Sequence, residues 1–213
     1  MALTSGDVEL WRRLKGQIPL RPHVLEIGEA NWYGSQPAPP GCEDADLFAV
    51  AKKFYRKVLD YKDIVAIDLH GTPSAIKWDL NRPTEFIEKD YRGNLYYDII
   101  INTGTAEHIF NQHQLFTTIH DYCNVGGLMV HCAPWQGWHN HGFYCYQPMF
   151  FHDLARANGY AILAGFAYHF ATGHVYDGWE SDLKTADDVQ LYVALRKTTD
   201  AEFRMPMQGS MGL

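Results

Sequence analysis

His23-Val24-Leu25-Glu26-Ile27-Gly28 is a short run of apolar, largely branched side chains that stops on an acid and a glycine. Two later runs share its character, Ile64-Val65-Ala66-Ile67-Asp68 and Tyr97-Asp98-Ile99-Ile100-Ile101-Asn102. Runs of this length read as buried parallel strands whose carboxyl ends open into loops. In an open α/β sheet those loop ends form the ligand crevice. An aspartate at the second strand end suits a ribose, because a carboxylate accepts hydrogen bonds from both hydroxyls. The three runs together predict a crevice built for a nucleoside-containing cofactor.

Working outward, strands and helices alternate. Asp7 to Gly16 reads as a short helix with Asp7 as N-cap and Gly16 as its stop. Asp44 or Asp46 caps a helix reaching about Asp60, with Leu47, Val50, Phe54 and Val58 on its buried side. Ala75 to Trp78 reads as a short third strand ending at Asp79. A helix covers about Gln112 to Tyr122, and Leu128 to Ala133 is the next strand. Pro148 suits the first turn of a helix that ends at Asn158 with Gly159 as C-cap. Tyr160 to Tyr168 and Val189 to Arg196 are strands with no helix between them, read as an antiparallel pair at one sheet edge. The expectation is a Rossmann-like α/β fold: a mostly parallel seven-stranded sheet, helices on both faces, and a C-terminal antiparallel pair. Residues 1–197 are expected to form one domain, with 1–20 as a helical extension and 198–213 as a tail without clear structure.

Composition bounds the partners. The 213 residues carry a net charge of -7, so there is no general basic field for nucleic acid. No apolar run is long enough to span a bilayer. The N-terminus lacks a basic region followed by an apolar core, and the four cysteines (Cys42, Cys123, Cys132, Cys145) form no C-x-x-C pair. Both features suit a cytoplasmic protein with reduced thiols. A small-molecule partner is expected, and a homodimer is allowed.

The order of these parts resembles the class I S-adenosylmethionine-dependent methyltransferases over about His23 to Lys197. The resemblance rests on the three strand ends, Lys77-Trp78-Asp79-Leu80, Gly104-Thr105-Ala106-Glu107-His108-Ile109, Gly126-Gly127-Leu128-Met129-Val130 and the terminal strand pair. It implies S-adenosylmethionine as cofactor and methyl transfer to a small molecule as activity. It also implies roles: Glu26 orients the methionine amine, Gly28 admits the cofactor to the main chain, Asp68 takes the ribose hydroxyls, Asp79 and Leu80 flank the adenine, and Asn102, Thr103 and Gly104 run under the methionine. One departure stands out. The family's glycine-rich loop runs straight into a helix, whereas here Ala30 and Trp32 stand where glycines are expected and a proline-rich insertion follows. That leaves a second expectation, a methyltransferase fold that binds the cofactor or a related nucleoside without methyl transfer, as a cyclase, lyase or binding module. A nicotinamide enzyme is disfavoured, since G-x-G-x-x-G is missing and its acid would lie roughly 20 residues on.

Candidate chemistry lies in the second half. Pro134 to Tyr144 follows the fifth strand and holds two indoles, two imidazoles and a phenol. Aromatics there can wall a flat acceptor and stabilise a sulfonium. His139 and His141 can take a proton from an acceptor, as can His108 beside Glu107. Trp135 is as well suited to plugging the sheet end. His139-x-His141 with Glu107 or His108 as third ligand is a weak metal pattern, and no metal is expected.

Overall fold

The computed structural model describes residues 2–34, 36–84, 96–178 and 183–209. Its centre is a seven-stranded sheet. In chain order the elements are β1 (Ala2–Leu3), α1 (Ser5–Arg13), β2 (His23–Ile27), β3 (Asn31–Trp32), α2 (Leu47–Leu59), β4 (Asp63–Ile67), β5 (Tyr97–Thr103), a 3-10 turn (Ala106–His108), α3 (Gln112–Tyr122), β6 (Cys123–Gln136), α4 (Pro148–Asn158), β7 (Ala161–His169), β8 (Val175–Asp177) and β9 (Val189–Arg196). The sheet runs β4-β2-β5-β6-β9-β7-β8. β4, β2, β5 and β6 pair in parallel. β9 lies antiparallel between β6 and β7, and β8 closes the edge antiparallel to β7.

The sheet is therefore mixed rather than mostly parallel, with parallel pairing in one half and antiparallel pairing in the other. The C-terminal pair is antiparallel as expected, but β9 sits inside the sheet and β8 takes the edge. β9 is buried almost throughout its length, so it reads as an apolar run with no solvent face. Ala75 to Trp78 is not a strand. Ile76 makes one parallel bridge to Ile67, with its amide donating to Ala66 O and its carbonyl accepting from the Asp68 amide.

Helices cover both faces. Alternate residues of the strands split between two apolar layers. Leu25, Ile27, Val65 and Ile100 pack with Leu115, Phe116 and Ile119 of α3 and Phe151 and Leu154 of α4. Val24, Ile99, Ile101 and Val130 pack with Leu10 and Trp11 of α1 and Val50, Phe54 and Tyr55 of α2. The N-cap of α1 is Thr4, not Asp7. Asp7 is the third helical residue of a capping box, its carboxylate accepting from the Thr4 amide at 2.8 Å. Asp46 caps α2 and Gly159, at φ 67°, ends α4.

The altered first loop has a structural use. Asn31–Trp32 pairs in parallel with Ala2–Leu3, and buried Trp32 packs edge-on against Phe54 with ring centroids 5.7 Å apart. The chain thus ties its N-terminus into the α2 layer before the helix begins. The C-terminal segment is also held through Arg204. His120 Nε2 reaches Ala201 O at 2.8 Å, and Asn158 exchanges two hydrogen bonds with the Arg204 backbone. Residues 210–213 of the expected tail lie outside the described residues.

Candidate functional site

At the carboxyl ends of β2, β4 and β5 lies a cleft of about 410 Å³, within the range of small-ligand sites. Gly28, Asp68, Asp79, Leu80, Gly104 and His108, all expected from sequence, line it. Leu69, His70, Trp78, Asn81, Thr105 and Ile109 join them. The first five of these follow or flank expected residues in the chain, so proximity in sequence was the available signal; Ile109 closes the quoted 104–109 segment.

Gly28 takes φ +84° and its amide donates to Ile67 O at 2.8 Å. A Cβ there would lie 2.2 Å from Thr105 Oγ1. The space that glycine leaves is thus filled first by Thr105, across the mouth between β2 and β5. Asp68 is partly buried. Its Oδ2 accepts from the Glu29 amide at 2.9 Å and its Oδ1 from the His70 amide at 2.8 Å. Each oxygen keeps a second lone pair. Asp79 Oδ1 accepts from the Asn81 amide and side chain, which hold its carboxyl below the usual range.

Glu29 was not expected from sequence. Its buried carboxylate accepts from the Thr72 amide at 2.6 Å and Thr72 Oγ1 at 2.9 Å, and pairs with Lys52 at 3.2 Å. It locks the first loop to the loop after β4, whose residues Asp68, Leu69 and His70 line the cleft. Its only signal in the sequence is its place next to Gly28.

Other expected residues lie behind the cleft wall. Glu26 is buried under the first loop, where the Ala30 amide bonds to it; burial pushes its pKa up to about 8. Asn102 is buried, its Oδ1 accepting from the Ala106 amide at 3.2 Å and its Nδ2 donating to His131 Nδ1 at 3.1 Å. Thr103 is buried at the end of β5, and only the backbone that follows, at Gly104, reaches the cleft.

The second group forms on the wall that His108 provides. Phe143 N and Tyr144 N both donate to Glu107 O, at 2.7 and 3.3 Å, docking the loop after β6 onto the 3-10 turn. Gly142 is needed for this approach, since a Cβ would lie 2.9 Å from Glu107 O. Docking brings His141 Nε2 to 3.4 Å from Glu107 Oε1, and His108 Nε2 lies 3.9 Å from the same oxygen. The hydrogen bond to Glu107 raises the pKa of His141, while burial lowers that of His108. The His108 and His141 rings lie 5.0 Å apart, and Trp138 packs 4.7 Å from His141. Trp138 is pinned by its amide to Asp188 Oδ1 and by its indole to Val189 O. His139 is exposed and outside this group. Trp135 is buried in the core with its indole donating to Gln147, so it plugs the sheet end.

The fold is that of the class I S-adenosylmethionine-dependent methyltransferases. The chain is similar to Burkholderia thailandensis 1,6-didemethyltoxoflavin-N1-methyltransferase, solved with 1,6-didemethyltoxoflavin and S-adenosylhomocysteine: 14% identity over 90% of this chain and 77% of that one, TM-score 0.55. A Bacillus halodurans C-125 protein assigned as a methyltransferase aligns with 11% identity over 90% of this chain and 100% of that one, TM-score 0.55. A Listeria monocytogenes protein assigned as an S-adenosylmethionine-dependent methyltransferase gives 11% identity, 91% and 99% coverage, and TM-score 0.53. No family model matches the chain, and no curated protein matches its sequence. Among the described residues no helix is long and apolar enough to cross a membrane.

Proposed function

We propose that this protein binds S-adenosylmethionine in the cleft and transfers its methyl group to a small molecule. The observation that carries this reading is the convergence of Gly28, Asp68, Asp79, Leu80 and Gly104 on one cleft at three parallel strand ends. The donor set fits the cofactor. Asp68, fixed by two backbone amides, offers its remaining lone pairs to a ribose diol. Trp78 and Leu80 give a flat base apolar walls, and Asp79 stands beside them. Gly104 brings backbone without a side chain to the cleft surface, so a ligand can approach the main chain there, while at Gly28 the missing Cβ makes room for Thr105. The bound sulfonium supplies a methyl group already activated for transfer; the protein's own task is placement.

His108 both lines the cleft and belongs to the cluster with Glu107 and His141. This cluster marks the acceptor side. Its groups can hold or move a proton at the acceptor's oxygen or nitrogen, and the Trp138 and His141 rings can face a flat acceptor. The small cleft and the net charge of -7 favour a small acceptor over nucleic acid. Isothermal titration of the purified chain with S-adenosylmethionine and S-adenosylhomocysteine tests the reading. Saturable heat from both is expected, and no heat at millimolar ligand refutes it.

One observation favours a second reading. After Gly28 the chain enters β3 and reaches α2 only at Leu47, so no helix N-terminus follows the glycine directly. A cofactor held without that helix end is compatible with nucleoside binding and no methyl transfer. Transfer of label from methyl-labelled cofactor into extract metabolites counts against this alternative.

A further inference from the structure

We infer that Glu107, His108 and His141 bind one divalent transition-metal ion on the cleft wall, with open coordination positions toward the acceptor. The role assigned to the ion rests on the methyltransferase reading, but its binding does not. Three observations support the site. One ligand atom from each residue lies within 4.8 Å of the other two. The 3.4 Å from Glu107 Oε1 to His141 Nε2 is the separation expected of two ligands about 2.1 Å from a tetrahedral ion, roughly 3.4 Å. Glu107 is 1% exposed, and its other oxygen, Oε2, is buried with no hydrogen-bond partner. A buried carboxylate oxygen left without a partner is costly, and among the described residues it has none. An ion chelated by both Glu107 oxygens answers that cost, since Oε1 already faces the two imidazoles.

The geometry is prepared by parts distant in sequence. Glu107 is fixed by the two amides that dock the 141–144 loop on its carbonyl. His141 is held by Trp138, itself anchored to the start of β9. His108 is about half exposed, so its ring can turn toward the ion without disturbing the core. Two imidazoles and one carboxylate suit zinc, iron, cobalt or manganese better than magnesium or calcium. Three protein ligands leave positions open, the pattern of reactive rather than structural sites. An acceptor hydroxyl taken there loses its proton more readily, as metal-bound water does. With the ion bound, the two imidazoles act as ligands rather than as bases.

The test uses the full, untagged chain, stripped with EDTA and returned to chelator-free buffer. Co²⁺ is titrated with visible absorption and calorimetry as readouts, followed by Zn²⁺ competition. Saturation near one equivalent and displacement by Zn²⁺ are expected. Glu107→Gln and His141→Ala should each weaken binding at least about tenfold, since even outer partners of a metal site cost 10- to 100-fold. His139→Ala should bind as wild type. Absence of saturable Co²⁺ binding, or binding unchanged in both variants, overturns the proposal. Circular dichroism checks that the variants are folded; if either is not, His108→Ala decides, because its half-exposed ring leaves no core cavity. S-adenosylhomocysteine calorimetry in EDTA is run separately. Heat there without Co²⁺ binding sinks the metal site alone, and Co²⁺ binding without that heat sinks the cofactor reading alone.

Discussion

Replacing Asp68 by Ala should act on stability and on cofactor affinity at once, because the carboxylate has two jobs. In the free protein it accepts the Glu29 and His70 amides at 2.9 and 2.8 Å and so holds two loops at the cleft. Hydrogen bonds to a charged group contribute about 1.5–3 kcal/mol each. His70 is exposed and Asp68 only partly buried, so water can replace much of that pairing. A loss of about 1–3 kcal/mol is therefore expected, which for a chain of this size lowers Tm by roughly 2–12 °C. With the cofactor, Ala also removes the ribose acceptor. A further loss of about 1.5–3 kcal/mol weakens binding by about tenfold or more. The assay is thermal unfolding of each variant, then calorimetry with S-adenosylhomocysteine well below the variant's Tm. Unchanged affinity in a folded variant would refute the ribose role. An unchanged Tm would refute the loop-holding role.

Gly28→Val should lower Tm and cofactor binding together, since the new Cβ meets Thr105 Oγ1 at 2.2 Å and φ is +84°; adding Thr105→Ala should restore part of the Tm, and a variant as stable as wild type contradicts the clash. His141→Ala and Glu107→Gln should cut turnover about 10²–10⁴-fold with cofactor affinity nearly unchanged, whereas His139→Ala should leave turnover within a factor of about three; steady-state kinetics on an identified acceptor decides. Stability should also respond to pH through Asp7, whose pKa burial pushes up to about 7. The folded chain then binds a proton that the unfolded chain releases near pH 4, so this group's contribution falls as pH rises from about 4 to 7. Asp7→Asn should gain on wild type by up to about 1.4 kcal/mol per pH unit across that window, read from denaturant unfolding at pH 5 and 7; a gain independent of pH would show that Asp7 stays ionised in the fold.

Local signals fixed much of this protein. Gln112–Tyr122, Pro148–Asn158 and Val189–Arg196 form as read, because periodicity, a proline at the first turn and a glycine at φ 67° act within a few residues. The strand ends at Gly28, Asp68 and Gly104 meet in one cleft for a similar reason: parallel strands must place their carboxyl ends on one side. What sequence spacing does not encode is pairing between distant segments. β9 lies inside the sheet, and β1 pairs with β3 across most of thirty residues. Thr4 takes the capping position expected of Asp7 because the Asp7 carboxylate is drawn inward, where Tyr192 also donates to it at 3.0 Å. His139 and His141 are equivalent as letters in a loop. Left-handed backbone at Trp138 and Asn140, and docking on Glu107, turn the His141 imidazole to the carboxylate and leave His139 outside the cluster. That choice depends on long-range contacts made only when the loop after β6 meets the turn after β5, so tertiary structure alone decides which histidine joins the site.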